Sequence, residues 1–208
     1  MATKRKAYHH GDLAAELLRV GGELLAAEGP EALSLRELAR RIGVSHQAPY
    51  RHFFDKDALL ASLAAEGFMD LGRVVAKAAA RHPNDSVGQL VAAGVAYVEQ
   101  GLKQPERYRL MFGRQSSSPT PNSQQLEEES HAAFGHLVAI IERGQANGVF
   151  KSGDPQELAA AAWCQVHGLT SLLIDERLDE VPAGGKARRQ FLAQMCGHLP
   201  DGLRRRAT

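Results

Sequence analysis

Apolar residues recur at helical spacing along nearly the whole chain. Leu13, Leu17, Val20 and Leu24 lie three or four positions apart, which places them on one face of an α-helix that Gly29-Pro30 ends. Strand-like alternation is absent, and β-branched and aromatic residues are sparse compared with Ala, Leu, Glu, Gln and Arg. The pattern therefore predicts an all-α fold.

Local signals divide residues 12–54 into three short helices joined by tight turns. The run Ser34-Leu-Arg-Glu37 is typical of a capping box, in which each end residue binds the backbone amide of the other. Gly43 ends this second helix, and Ser45 is expected to cap a third helix that runs through Phe53. Asp55 is expected to cap the fourth.

Longer helices follow, and with the first three they bring the predicted total to about nine. Their predicted ranges are Lys56 to about Ala80, Ser86–Leu102, a short helix after Pro105, Gln124–Gln145, Asp154 to about Leu178, and Ala187–Gly197. The predicted architecture is a three-helix head at residues 8–66 and a larger helical bundle at residues 67–208.

Composition describes an ordinary globular chain. Of its 208 residues 44% are hydrophobic, and 25 Lys and Arg stand against 24 Asp and Glu. This near-neutral balance by itself argues against a nucleic-acid binder. The charge is unevenly distributed, however, with five basic against two acidic residues from Ser34 to Lys56 and a basic run at Lys4-Arg5-Lys6. We expect that run to act as an arm in a DNA minor groove.

Several classes of protein are excluded on chemical grounds. The basic start lacks a following apolar segment, so no secretory signal is predicted. Polar residues interrupt the longest apolar stretch, Leu158 to Ile174, which excludes a membrane span. Two cysteines make no disulfide framework, and Cys164 with His167 lacks the second pair that a metal site needs. We expect a cytoplasmic protein that is not an enzyme and carries no cofactor or metal.

The segment from Ser34 to Phe54 has the form of a helix-turn-helix, with a polar outer face on its second helix. Gln47 and Arg51 are suited to base edges, while Tyr50, His52 and Lys56 are suited to phosphate oxygens. The predicted DNA-binding residues are Ser34, Arg36, Ser45, His46, Gln47, Ala48, Tyr50, Arg51, His52 and Lys56. The structural alternative is a helical hairpin with a solvated polar face.

Residues 12–66 resemble the TetR family of bacterial transcriptional regulators. The resemblance is carried by Gly43-Val44-Ser45, Tyr50-Arg51-His52-Phe53 and Lys56-Asp57-Ala58-Leu59-Leu60. It implies a homodimer that places two recognition helices in successive major grooves of a palindromic operator, usually as a repressor. It also implies that Gln47 and its neighbours read bases while Tyr50, His52 and Lys56 grip phosphates.

Pro49 departs from the pattern of this family, which usually has an aliphatic residue there. Proline has no backbone N–H, so a helix capped by Ser45 loses its first intrahelical hydrogen bond at this position. We therefore expect the first turn of the third helix to be tighter or tilted.

The run Trp163-x-x-x-His167-Gly168 resembles the Trp-His-Gly signature of one C-terminal subgroup of this family. The resemblance implies that the bundle binds a small molecule and forms the dimer. The predicted ligand-binding residues are Tyr97, Tyr108, Met111, Phe112, Phe134, Leu137, Trp163, His167 and Thr170. The predicted dimer interface is Leu158, Ala162, Val166, Leu169, Leu173, Phe191, Leu192 and Met195. The alternative is that these are core residues and that His167 is a hydrogen-bonded core histidine.

The predicted function is a sequence-specific DNA-binding regulator, released from its operator by a small and mostly apolar effector. The alternative is a helical small-molecule-binding module with weak or no specific DNA binding, which Pro49 and the neutral charge favour. A small helical enzyme would need a convergent acid/base pair, which the sequence does not display.

Overall fold

The computed structural model describes residues 13–113, 122–179 and 181–203, and within them the chain is helical without a strand. This confirms the all-α prediction. The eight α-helices are α1 Leu13–Glu28, α2 Leu35–Ile42, α3 Lys56–Ala79, α4 Ser86–Lys103, α5 Pro105–Phe112, α6 Ser123–Ala146, α7 Pro155–Ile174 and α8 Gly185–Leu203. Two single-turn 3-10 helices, Pro30–Ala32 and Pro49–Arg51, lie on either side of α2.

The described residues form two compact units. The first takes those of Met1–Gly67 and Glu106–Glu127, and the second takes those of Phe68–Pro105 and Glu128–Thr208. The first boundary lies next to the one expected between residues 66 and 67. The structure differs from that expectation in grouping most of α5 and the start of α6 with the N-terminal unit.

A single apolar core holds the first unit together. α1, α2, the segment before α3 and the first half of α3 all contribute side chains to it, and Leu110 of α5 packs against it. Its buried members are Leu13, Leu17, Val20, Leu24, Leu25, Leu33, Leu35, Leu38, Phe53, Ala58, Leu59 and Leu63. The core thus fixes the backbone from which the predicted DNA-binding side chains project.

Two glycines let α5 dock closely within the first unit. A Cβ at Gly67 would lie 2.6 Å from the sulfur of Met111, and one at Gly22 would lie 2.6 Å from a guanidinium nitrogen of Arg107. Arg107 also lies 3.9 Å from the carboxylate of Glu66. An added Cβ at Gly22 meets only the flexible end of Arg107, whereas one at Gly67 meets Met111 and the stem of Arg107, so Gly67 forms a notch that receives Met111.

In the second unit, α4 packs against both α7 and α8. The helices approach closely at Gly94, where an added Cβ would lie 3.0 Å from the Cys196 sulfur and 3.2 Å from a methyl carbon of Val166. Burial raises the pKa of the Cys196 thiol to about 12, so this cysteine stays protonated near neutral pH.

Two helix ends differ from the sequence prediction. α7 ends at Ile174 instead of about Leu178, because Glu176 adopts a left-handed backbone with φ 53° and Arg177 donates to the Leu172 carbonyl over 2.8 Å. α8 extends to Leu203 instead of Gly197 and includes Pro200. Its last residue is anchored, since the Leu203 carbonyl accepts from the Lys151 amide over 2.8 Å.

Candidate nucleic-acid interface and effector site

The cap of α2 forms as predicted on one side only. Ser34 has an extended backbone, and its hydroxyl accepts a hydrogen bond from the Glu37 amide over 3.1 Å. Instead of returning to Ser34, the Glu37 carboxylate accepts from the guanidinium groups of Arg40, at 2.7 and 2.9 Å, and Arg41, at 2.6 Å. The capping box is therefore half formed, and its acidic end pairs with two arginines.

The turn after α2 depends on glycine. Gly43 adopts a left-handed backbone with φ 80°, which allows its amide and that of Val44 to donate to the Ala39 carbonyl over 2.9 and 3.0 Å. Val44 then packs against the head core. This turn confirms the expected stop and sets the direction in which the next segment leaves α2.

The segment that follows is not the α-helix that the sequence predicts from Ser45 to Phe53. It consists of turns and the single 3-10 turn Pro49–Arg51. Pro49 cannot donate to the Ser45 carbonyl, and the Ala48 amide binds that carbonyl instead, over 3.0 Å. We call residues 45–52 the recognition segment. The tighter first turn expected from Pro49 is found, and none of this segment is α-helical.

Most of the predicted DNA-binding side chains in the recognition segment are exposed, and its other residues pack inward. The side chains of Ser45, His46, Gln47, Tyr50, Arg51 and His52 are exposed. Pro49 is buried and Ala48 packs on the head core, so Ala48 acts mainly as an anchor rather than as a contact. Lys56, at the start of α3, is half-buried. The polar face that the sequence predicts is thus displayed from two successive turns.

Ion pairs reduce the number of arginines available to a phosphate. The hydrogen bond from Arg40 is the largest cause, and that from Arg41 the next, of a lowered pKa of about 2 for the Glu37 carboxyl, so this group is ionised at neutral pH. Arg41 also donates to Glu28 at the end of α1 over 2.9 Å. Arg36 and Arg51 are exposed and form no ion pair within the described part of the chain. Among the described residues of the first unit, these two cations are available to an anionic partner.

Lys56 is less freely available to a phosphate than Arg36 and Arg51, because its ammonium lies 4.0 Å from the fully exposed carboxylate of Glu31. Such a loose surface pair contributes little and exchanges readily for a phosphate. The basic run Lys4-Arg5-Lys6, predicted to act as a minor-groove arm, lies outside the described residues.

An aromatic and polar cluster occupies the second unit, where α4, α6 and α7 contribute side chains. The indole N–H of Trp163 donates to the Tyr97 hydroxyl over 3.1 Å, and that hydroxyl lies 3.2 Å from Nδ1 of His167. The ring of Phe134 meets Trp163 edge-on, with 6.0 Å between ring centroids. We call Tyr97, Phe134, Trp163 and His167 the aromatic cluster.

The hydrogen-bond directions in the aromatic cluster follow from chemistry. An indole only donates, so the Tyr97 oxygen accepts from Trp163 and its own hydrogen can point to Nδ1 of a neutral His167. Burial lowers the pKa of His167, which favours this neutral form. Tyr97 is only 7% exposed, whereas 36% of Trp163 remains open to solvent. The indole thus combines a satisfied N–H with an accessible apolar surface.

The predicted ligand-binding residues fall in both units. Leu137 is half-buried on α6, in the same unit as the aromatic cluster. Thr170 is fully buried, and its hydroxyl donates to the Val166 carbonyl over 2.7 Å, so it is a core residue. Met111 belongs to the first unit, as do Tyr108 and Phe112, whose rings lie 4.8 Å apart.

Most residues of the predicted dimer interface are buried within a single chain. Ala162, Val166, Leu169, Leu173 and Leu192 are already buried within one chain. They fill the core between α4, α7 and α8, so no partner subunit is needed to explain their apolar character. Leu158, Phe191 and Met195 are half-buried and stay available to a partner.

Sequence reasoning missed two features of the first unit. One is the ion-pair network of Glu37, whose signal was present in the spacing of three and four residues to Arg40 and Arg41. The other is Phe54, which is 77% exposed beside the buried Phe53. The sequence predicts that Phe53 packs inward, but the exposure of Phe54 follows only once the preceding turn is known.

Two further findings concern chemistry. No three His, Cys, Asp or Glu side chains among the described residues lie close enough to hold a metal ion. The described helices also lack a stretch long and apolar enough to cross a bilayer.

Comparison with known families agrees with this geometry. Residues 17–63 match the model for bacterial regulatory proteins of the tetR family, and residues 90–197 match the tetracyclin repressor-like C-terminal domain. The second match alone spans more than half of the chain. The chain therefore belongs to the TetR family of bacterial regulatory proteins, as the resemblance predicts.

Individual relatives are similar over shorter or longer stretches. The HTH-type transcriptional regulator Rv1816 of Mycobacterium tuberculosis is 32% identical over 109 residues, which cover 51% of this chain and 44% of that protein. The HTH-type transcriptional repressor Rv3405c of the same organism is 38% identical over 64 residues, which cover 30% of this chain and 34% of that protein. The chain thus spans less than half the length of these curated relatives.

Solved structures extend the similarity to the whole fold. A protein of unknown function from Rhodococcus sp. RHA1 superposes with a TM-score of 0.84 at 32% identity, covering 97% of this chain and 100% of that one. A bacterial regulatory protein in the tetR family from Rhodococcus RHA1 gives a TM-score of 0.67 at 22% identity, covering 93% and 98%. At that lower identity the second match concerns the fold alone.

Proposed function

We propose that this chain is a sequence-specific DNA-binding transcriptional regulator that represses from a palindromic operator as a homodimer in the cytoplasm. The observation that carries the proposal is the recognition segment, whose polar side chains project from a buried core and include Arg51, which is exposed and forms no ion pair among the described residues. Membership of the TetR family supports the same function. Specificity then depends on base contacts by Gln47 and Arg51, and position on phosphate contacts by Tyr50, His52 and Lys56.

The experiment is selection of DNA by the protein itself. Purified chain is mixed with a library of random-sequence duplexes, the bound duplexes are enriched over several rounds, and the consensus is determined. Binding to the selected duplex and to a shuffled version is then measured by fluorescence anisotropy. The proposal expects a palindromic consensus, bound at least about a thousandfold more tightly than the shuffled duplex. A library that yields no consensus contradicts it.

We further propose that the aromatic cluster binds a small, mostly apolar effector that releases the operator. Trp163 offers an accessible indole surface whose N–H is already satisfied by Tyr97, and Phe134 adds a second ring. Such a surface favours an apolar or aromatic molecule with few polar groups. Release requires that the effector bind the DNA-free conformation more tightly than the DNA-bound one.

Trp163 is the only tryptophan in the chain, so its fluorescence reports on this site alone. Titration with a panel of apolar and aromatic compounds should change the emission in a saturable way for at least one of them. The same compound should weaken operator binding at matching concentrations. A compound that changes the emission without affecting DNA binding contradicts the coupling.

The second candidate is a small-molecule-binding module without specific DNA binding. The observation that favours it is the replacement of the expected recognition helix by the 3-10 turn Pro49–Arg51. The DNA selection described above distinguishes the two candidates. A small-molecule-binding module would show a saturable change in Trp163 emission with ligand, but the selected duplexes would share no consensus sequence.

A further inference from the structure

Phe54 is the most exposed large hydrophobic side chain in the described part of the chain. It is 77% exposed, compared with 44% for Tyr50, the next most exposed in the first unit. The preceding residue, Phe53, is buried in the head core, so the backbone turns one ring inward and the next outward. Leaving a phenylalanine in water forgoes burial energy that a polar residue at this position would not lose.

The exposure of Phe54 does not come from a loose loop. On one side the Phe53 amide donates to the Pro49 carbonyl over 3.0 Å. On the other side the Asp55 carboxylate accepts from the Ala58 amide over 2.8 Å, which caps α3. The ring is therefore presented from a backbone that is anchored on both sides, as a contact residue requires.

The neighbours of Phe54 in the chain indicate what covers it. Arg51, exposed and without an ion pair in the described residues, comes three positions earlier, and Lys56 comes two positions later. A partner that binds Arg51 and Lys56 carries negative charge. To cover the Phe54 ring as well, the partner must also have apolar surface close to its negative charges. The backbone of DNA has this chemistry, because each phosphate is flanked by the C–H surface of a deoxyribose.

We propose that Phe54 is a further DNA-contacting residue that packs its ring on deoxyribose next to the phosphate bound by Lys56. The proposal rests on the DNA-binding function proposed above and adds a contact without charge to it. A ring on a sugar displaces water but no counterion, so it contributes to affinity without contributing to the salt dependence. This separates Phe54 from Lys56, whose contact releases a counterion.

The test compares Phe54→Ala, Phe54→Leu and Lys56→Ala on the duplex that the wild-type chain selects. Kd is measured by fluorescence anisotropy at several KCl concentrations. Phe54→Ala should raise Kd about tenfold at every concentration with an unchanged slope of log Kd against log [KCl], and Phe54→Leu should raise it less. Lys56→Ala should reduce that slope by about two, because the homodimer loses one phosphate contact in each subunit. Met69→Ala, which truncates an exposed residue of the second unit, is the matched control and should leave Kd unchanged.

Three results would overturn the proposal. One is a Kd for Phe54→Ala within twofold of the wild type, and another is a slope that falls as it does for Lys56→Ala. The third is a change in oligomer mass on sedimentation without a change in Kd, which would mean that a second copy of the chain covers the ring. If the wild-type chain selects no duplex at all, the proposed DNA-binding function itself fails. That outcome is distinguishable from failure of the Phe54 proposal, because it is seen before any variant is compared.

Discussion

The indole nitrogen of Trp163 donates a hydrogen bond to the hydroxyl of Tyr97 over 3.1 Å and so joins α7 to α4 inside the second unit. The same hydroxyl lies 3.2 Å from His167, so one buried oxygen serves two residues of the Trp-His-Gly run. The motif thus has a structural basis, because the spacing of four residues places both side chains on the helix face that meets Tyr97.

Tyr97→Phe removes this shared oxygen and nothing else. We expect the free energy of unfolding to fall by about 1–3 kcal/mol, because the Trp163 N–H loses a buried acceptor and His167 loses its hydroxyl partner. Urea unfolding followed by Trp163 emission measures the change. Tyr50→Phe, at an exposed position of the first unit, is the control and should stay within about 0.5 kcal/mol of the wild type. Equal stability of Tyr97→Phe and the wild type would show that the hydrogen bonds contribute nothing.

His167 should make stability depend on pH. Burial lowers its pKa in the folded chain below the ordinary value, so as the pH falls through about 6.5 the unfolded chain binds a proton that the folded chain does not. The free energy of unfolding should therefore decrease as the pH falls from 7.5 to 5.5, by at most about 1.4 kcal/mol per pH unit from this group. The contribution is fully present above the unfolded pKa.

His167→Gln tests that assignment, because glutamine keeps polar atoms but does not titrate. The variant should lose less stability than the wild type between pH 7.5 and 5.5 in parallel urea unfolding curves. Identical pH dependence in the two proteins would assign the effect to other groups.

Ser34→Ala removes the cap of α2. The Glu37 amide loses its acceptor at 3.1 Å, and we expect a loss of about 1 kcal/mol in the free energy of unfolding. Thermal or urea unfolding measures it, with Ser45→Ala as the control in the exposed recognition segment. A loss of the same size in both variants would mean that the cap has no special role.

Gly67→Ala fills the notch that receives Met111. The added Cβ would lie 2.6 Å from the Met111 sulfur, and displacing that side chain should cost about 1–3 kcal/mol. The double variant with Met111→Ala should recover part of the loss, as expected for residues in direct contact. Gly135→Ala on α6 is the matched control, since its Cβ meets no atom within 4 Å and should slightly stabilise the helix. A Gly67→Ala variant as stable as the wild type would rule out the notch.

Local sequence signals predict most helix starts. They do not predict the features that depend on how the helices pack against each other. Ser34, Asp55 and Asp154 cap helices where the sequence placed them, because a cap depends on neighbours only two or three residues away. Pro49 was recognised as a disturbance, but its full effect depends on how the ring is buried in the head. Likewise an apolar stripe such as Ala162 and Val166 indicates burial without indicating whether the same chain or a partner provides it.

Operator affinity as a function of salt tests whether the recognition segment binds DNA through Arg51, which forms no ion pair among the described residues. Kd for the selected duplex is measured across a range of KCl concentrations for the wild type, Arg51→Ala and the control Arg73→Ala, whose arginine pairs with Asp70 at 3.0 Å in the second unit. We expect Arg51→Ala to weaken binding by about tenfold or more, while Arg73→Ala follows the wild-type line. Superposition of all three lines would contradict it.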